Sequence, residues 1–76
     1  SPYQTEAKAL IELSPKEYIV VQLLAKGASN KEIARHLSIS PSTVNTLVNR
    51  CFEKLGAKTR TEAAVAAARA GLSLVA

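Results

Sequence analysis

Apolar positions along this chain recur at helical spacing, and each run is bracketed by residues that start and stop helices. Ser14-Pro15-Lys16-Glu17 reads as an N-cap, a proline at the first helical position and a glutamate at the third. The serine oxygen accepts from an orphan backbone N–H and the carboxylate reaches back, which is a capping box. The run Tyr18–Ala25 follows, with Val20, Val21 and Leu24 as its apolar face, and Gly27 stands where a left-handed residue closes a helix. Ser29-Asn30-Lys31-Glu32 is a second capping box; its helix holds Ile33, Ala34 and Leu37 on one side and Lys31 and Arg35 on the other. Ser38-Ile39-Ser40 is long enough only for a tight turn, with Ile39 tucked inward. Ser40-Pro41 opens a third helix whose stripe is Val44, Val48, Cys51 and Leu55, one helical face, and Gly56 stops it. Thr59-Arg60-Thr61-Glu62 reads as a third capping box, and Gly71 ends the last helix.

The pattern carries no strand signal of any length. It predicts an all-α fold: a four-helix domain over residues 13–76 that contains a helix-turn-helix. Residues 1–12, with Ala7, Leu10 and Ile11, read as a linker remnant, either a short leading helix or a packed linker.

Composition narrows this picture. Seventy-six residues make one domain at most. Hydrophobic residues reach 47% but aromatics only 4%, so the core is built from Leu, Ile, Val and Ala, which suits helices better than a β-sandwich. The single cysteine, Cys51, excludes an internal disulfide; it lies on a buried stripe and reads as a small core residue. His36 is the only histidine and has no cysteine partner, so no metal site is expected. The apolar runs are too short to span a bilayer. No signal peptide is visible and the chain does not begin with Met, so it reads as a piece of a cytoplasmic protein.

Charge changes the picture more. The net charge is +4, and all of the excess lies between Lys31 and Arg60. That stretch holds Lys31, Arg35, Arg50, Lys54, Lys58 and Arg60 against Glu32 and Glu53. Both flanks are neutral. A localised basic stretch is the footprint of a polyanion-facing surface, although a solvated helix face with a surplus of cations gives the same count.

The turn and the third helix separate these readings. A short helix, a three-residue turn and a longer helix is the spacing of a DNA-binding helix-turn-helix. Opposite the apolar stripe, the third helix carries Ser42, Thr46, Asn49 and Glu53, flanked by Asn45 and Arg50. Asn pairs bidentately with adenine, and a Thr methyl meets a thymine methyl, in the major groove. Ser29, Ser42 and Thr43 at helix starts, with Lys31, Arg35, Arg50, Lys54, Lys58 and Arg60, are candidates for the phosphate backbone, which positions without specifying.

These residues resemble the DNA-binding domain of the LuxR/FixJ/NarL-type (GerE-like) transcription regulators. The likeness runs through Leu13–Glu17, Gly27, Ser29–Ala34 and Leu37, then Ile39-Ser40, Thr43-Val44, Lys54-Leu55-Gly56 and Thr59–Ala63. The resemblance implies a third helix in the major groove, with Asn45, Thr46 and Asn49 reading bases. It also implies a homodimer through the fourth helix on paired half-sites of double-stranded DNA. Three positions depart from the pattern: Asn45 stands where the family usually has Lys, Leu47 where it often has His, and Arg50 where a smaller polar residue is common. The target site of other members therefore does not transfer. Leu47 is expected to be partly buried at the helix edge.

The fourth helix is apolar nearly all round. One side must pack on the domain; the other suits either solvent, as an Ala-rich helix, or a second copy. With the resemblance, Ala64, Val65, Ala68 and Arg69 become the expected dimer face. Family members carry a phosphorylatable receiver or a small-ligand domain ahead of this one, and the linker-like start favours a receiver. The chain offers no catalytic constellation: it has no Asp, no glycine-rich loop and no nucleophile beside a base. No enzyme activity, cofactor, membrane contact or bound small molecule is expected of it. The competing reading is a helix-turn-helix that docks a protein, such as RNA polymerase.

Overall fold

A computed structural model of the chain describes residues 12–69. The suggested leading helix and the stop at Gly71 lie outside the described residues. Within them run four helices: α1 (Pro15–Ala25), α2 (Asn30–Leu37), α3 (Pro41–Leu55) and α4 (Arg60–Arg69). No strand occurs among the described residues.

Local chemistry sets each start. Ser14 Oγ accepts from the Glu17 N–H at 3.2 Å while Glu17 Oε1 accepts from the Ser14 N–H at 2.9 Å. Ser29 and Glu32 repeat the pair at 3.1 and 2.9 Å. At α3, Ser40 Oγ accepts from the Thr43 N–H, and Pro41 supplies a preset first turn. The start of α4 departs from the expected box. Thr59 Oγ1 does accept from the Glu62 N–H, but the Glu62 carboxylate accepts from the Lys58 N–H at 2.9 Å instead of from Thr59. The bend at Lys58–Thr59 presents the earlier N–H to the helix start.

The ends of α1, α2 and α3 share one closure. The residue after each helix takes a left-handed or adjoining turn conformation, and two N–H groups fold back onto the last carbonyls. Gly27 (φ +88°) and Ala28 donate to Leu24 and Leu23; Gly56 (φ +67°) and Ala57 donate to Glu53 and Phe52. Between α2 and α3, Ser38 takes φ +57° without being glycine, and Ile39 donates to the Ala34 carbonyl at 3.0 Å. This bond folds Ile39 onto the core and sets the corner of the helix-turn-helix.

The core is small and aliphatic. Val20, Val21 and Leu24 of α1 meet Ile33 and Ala34 of α2, and Val44, Leu47, Val48, Cys51 and Leu55 of α3. Ala63, Ala66 and Ala67 of α4 close it. α1 packs on both α3 and α4, and α2 and α4 also pack on α3, so α3 is held from three sides. Ile33 is fully buried, and burying such a side chain contributes roughly 1.5–3 kcal/mol.

Candidate nucleic-acid interface

The packing that buries one face of α3 leaves the other free. Ser42, Thr43, Asn45, Thr46, Asn49, Arg50 and Glu53 are all exposed. Leu47 is 8% exposed, further inside than its place at the edge of the stripe implied. The buried arc is thus wider than the stripe of four, and the exposed arc is narrower and wholly polar.

Hydroxyl chemistry shapes the start of this face. Ser40 Oγ lies 3.1 Å from Ser42 Oγ and 2.9 Å from Thr43 Oγ1. Pro41 has no N–H, and those of Thr43 and Val44 are bonded to Ser40. Of the first four positions, Ser42 keeps the backbone donor that these bonds leave unused. Thr46 Oγ1 donates to the Ser42 carbonyl at 3.3 Å, so its hydroxyl proton is spent on the backbone, leaving the oxygen lone pairs and the methyl to meet a partner.

The basic residues divide into two groups. Lys31, Arg35, Arg50 and Lys58 are exposed on α2, α3 and the α3–α4 link. Lys54 and Arg60 are held by the protein itself. Lys54 Nζ donates to Glu17 Oε1 at 2.6 Å and to the Glu12 carbonyl at 3.2 Å. Arg60 Nη1 donates to Asn30 Oδ1 at 2.6 Å, and its Nη2 donates to the Ala28 carbonyl. Neither grip leaves a trace in local spacing, because the partners lie thirty or more residues away along the chain. One signal was present. Glu17 sits three residues before Val20 on the apolar stripe of α1, and a carboxylate on a core face must find a partner.

Two carboxylates are held below their ordinary range. For Glu17 the largest cause is the hydrogen bond from Lys54, then that from the Ser14 backbone. For Glu32 it is the backbone hydrogen bond from Ser29. The Cys51 thiol moves the other way, pushed up to about 12 by burial and then by the charge of Glu17. Its Sγ donates to the Glu17 carbonyl at 3.6 Å. Among the described residues no group of three or more His, Cys, Asp and Glu side chains gathers in one place. None of the described helices is long and apolar enough to cross a membrane.

The profile of the bacterial regulatory proteins of the luxR family matches residues 12–67, all four helices but the end of α4. The chain belongs to the luxR family. Its relatives include an HTH-type transcriptional regulator of Mycobacterium tuberculosis, 44% identical over 59 residues, 78% of this chain and 7% of that protein. The transcriptional regulatory protein YxjL of Bacillus subtilis is 43% identical over 70 residues, 91% of this chain and 32% of YxjL. The nitrate/nitrite response regulator protein NarL of Escherichia coli is 41% identical over 61 residues, 80% of this chain and 28% of NarL. The luxR-family chain therefore spans between 7% and about a third of the length of these curated relatives.

In this luxR-family domain, α4 also has two faces. Ala63, Ala66 and Ala67 are buried, whereas Val65, Ala68 and Arg69 are exposed and Ala64 is half-buried. Ala64, Val65 and Ala68 line a shallow apolar groove with Leu24, Ala25 and Gly27 of the α1 end.

Proposed function

We propose that this chain is a sequence-specific double-stranded-DNA-binding domain of a bacterial transcription regulator, with α3 seated in the major groove. The observation that carries the reading is the division of α3. One face is locked into the core by five side chains, and the other presents Asn45, Thr46 and Asn49 in succession to solvent. Asn45 and Asn49 are assigned to base edges, adenine being the partner an amide pairs with bidentately. Thr46 is assigned to a thymine methyl, which its own methyl suits while its hydroxyl proton is held by the Ser42 carbonyl. Ser29, Lys31, Arg35, Ser42, Thr43, Arg50 and Lys58 are assigned to phosphates, where charge gives affinity and salt dependence but no sequence choice. Membership of the luxR family supports the assignment.

The finer features of the reading rest on likeness to regulators such as NarL. The domain acts as a homodimer through Ala64, Val65, Ala68 and Arg69, on half-sites about one helical turn apart. It is the output of a two-component response regulator in the cytoplasm, with RNA polymerase as a further partner. A small-ligand sensor upstream is the alternative.

Selection of bound sequences from a random duplex pool tests the proposal. Enrichment of a paired motif is the expected result. No enrichment, with no mobility shift on random duplex at low salt, would replace DNA binding with docking to a protein.

A further inference from the structure

Arg60 is the first residue of α4. A cation there faces the positive end of its own helix, an unfavourable placement for a side chain with nothing else to do. Its guanidinium is instead spread over the turn that leads into α2. Nη1 donates to Asn30 Oδ1 at 2.6 Å and Nη2 to the carbonyl of Ala28. These two acceptors flank Ser29, the N-cap of α2. The grip is anchored at its other end as well, because Thr59, Glu62 and the Lys58 N–H fix the start of α4.

We propose that Arg60 is a positioning residue, whose forked grip on Ala28 and Asn30 fixes the first turn of α2 and aims the donors at that end toward a duplex phosphate. The proposal rests on the DNA-binding reading above and replaces a direct phosphate contact by Arg60. α2 has only 8 residues, too few to be stable by propensity alone. Its core anchors, Ile33 and Ala34, lie beyond the first turn. The capping box uses the N–H of Glu32, and the Ser29 carbonyl takes that of Ile33. The N–H groups of Asn30 and Lys31 are left to point along the helix axis, where they serve an anion only if the turn itself is held. The planar fork of arginine spans two acceptors at once, which the point charge of lysine does not.

This separates two roles experimentally. Arg60→Lys keeps the charge and loses the fork. If Arg60 positions α2, R60K and R60Q weaken binding to a random-sequence duplex alike, by about tenfold, the scale of one charge-assisted hydrogen bond. Asn30→Ala gives a similar loss, and the R60Q/N30A double variant loses little more than either single one. The slope of log affinity against log salt stays at its wild-type value. If Arg60 instead touches phosphate, R60K binds like wild type and R60Q lowers that slope by about one; this result overturns the proposal. A DNA-free arm reads the brace itself: amide exchange at Glu32 and Ile33 should quicken in R60Q and N30A relative to the amides of α3. Unchanged exchange also overturns it. Quickened exchange in a protein whose wild type binds no duplex would leave the brace standing and remove the DNA reading alone.

Discussion

The ammonium of Lys54 sits 2.6 Å from Oε1 of Glu17 and so ties the last turn of α3 to the first turn of α1. The two partners are unequal. Glu17 has almost no solvent contact, whereas the Lys54 side chain is 36% exposed. Removing Glu17 leaves an ammonium that water can reach. Removing Lys54 leaves a buried carboxylate supported by Ser14 alone. Lys54→Met should therefore cost at least as much stability as Glu17→Gln, about 1–3 kcal/mol, despite lying nearer the surface. Urea titration of both variants checks the order; a larger loss in E17Q would contradict it.

The same pair sets the acid response. Glu17 has its folded-state pKa depressed, so its contribution is fully present above its unfolded value near 4.5 and is lost as pH falls through the lower folded value. Glu32 titrates in the same direction. Wild-type stability should fall below about pH 4.5, and E17Q should show a flatter acid limb. Parallel wild-type and E17Q limbs would remove Glu17 from the acid transition.

Cys51 should be inert. A thiol with a pKa of about 12 holds almost no thiolate at pH 8, and it is fully buried. Labelling by an aromatic disulfide reagent should proceed only as fast as the domain opens. A rate independent of added urea would contradict this.

Asn49→Ala should weaken binding to selected sequences by roughly 1–3 kcal/mol and relax the choice of base, with little change on random duplex. Equal loss on every sequence would show that Asn49 reads no base. The exposure of Asn49 makes a folding defect an unlooked-for result, and circular dichroism checks it.

Val65 is 43% exposed, so Val65→Glu should leave the monomer folded. On paired half-sites it should abolish cooperative occupation while sparing a single half-site. Sedimentation with duplex present measures both; unchanged cooperativity would place the dimer contact elsewhere.

Much of the fold was legible because its signals are local. Ser14, Ser29, Ser40 and Thr59 act within three residues of themselves, and the phase of Val44, Val48, Cys51 and Leu55 fixes which side of α3 is outside. What escaped depends on distant or unusual backbone. The grips of Lys54 and Arg60 need the tertiary fold to exist before they can be seen. Ser38 takes a conformation that glycine would have advertised and serine does not. Leu47 is buried because α3 is enclosed by α1, α2 and α4 together, and a helical wheel knows nothing of how many neighbours a helix has. The outward placement of Asn45, Thr46 and Asn49 followed from the stripe.

The residues that lock α3 in place and those that face outward share no member: Val44, Leu47, Val48, Cys51 and Leu55 on one side, Asn45, Thr46, Asn49 and Arg50 on the other. Exposed substitutions of this kind usually shift stability by no more than about 0.5 kcal/mol. The outward set can thus drift, or be randomised in a library, at nearly constant fold. Whatever that face recognises, changing it needs only exposed substitutions, with no compensating change in the interior.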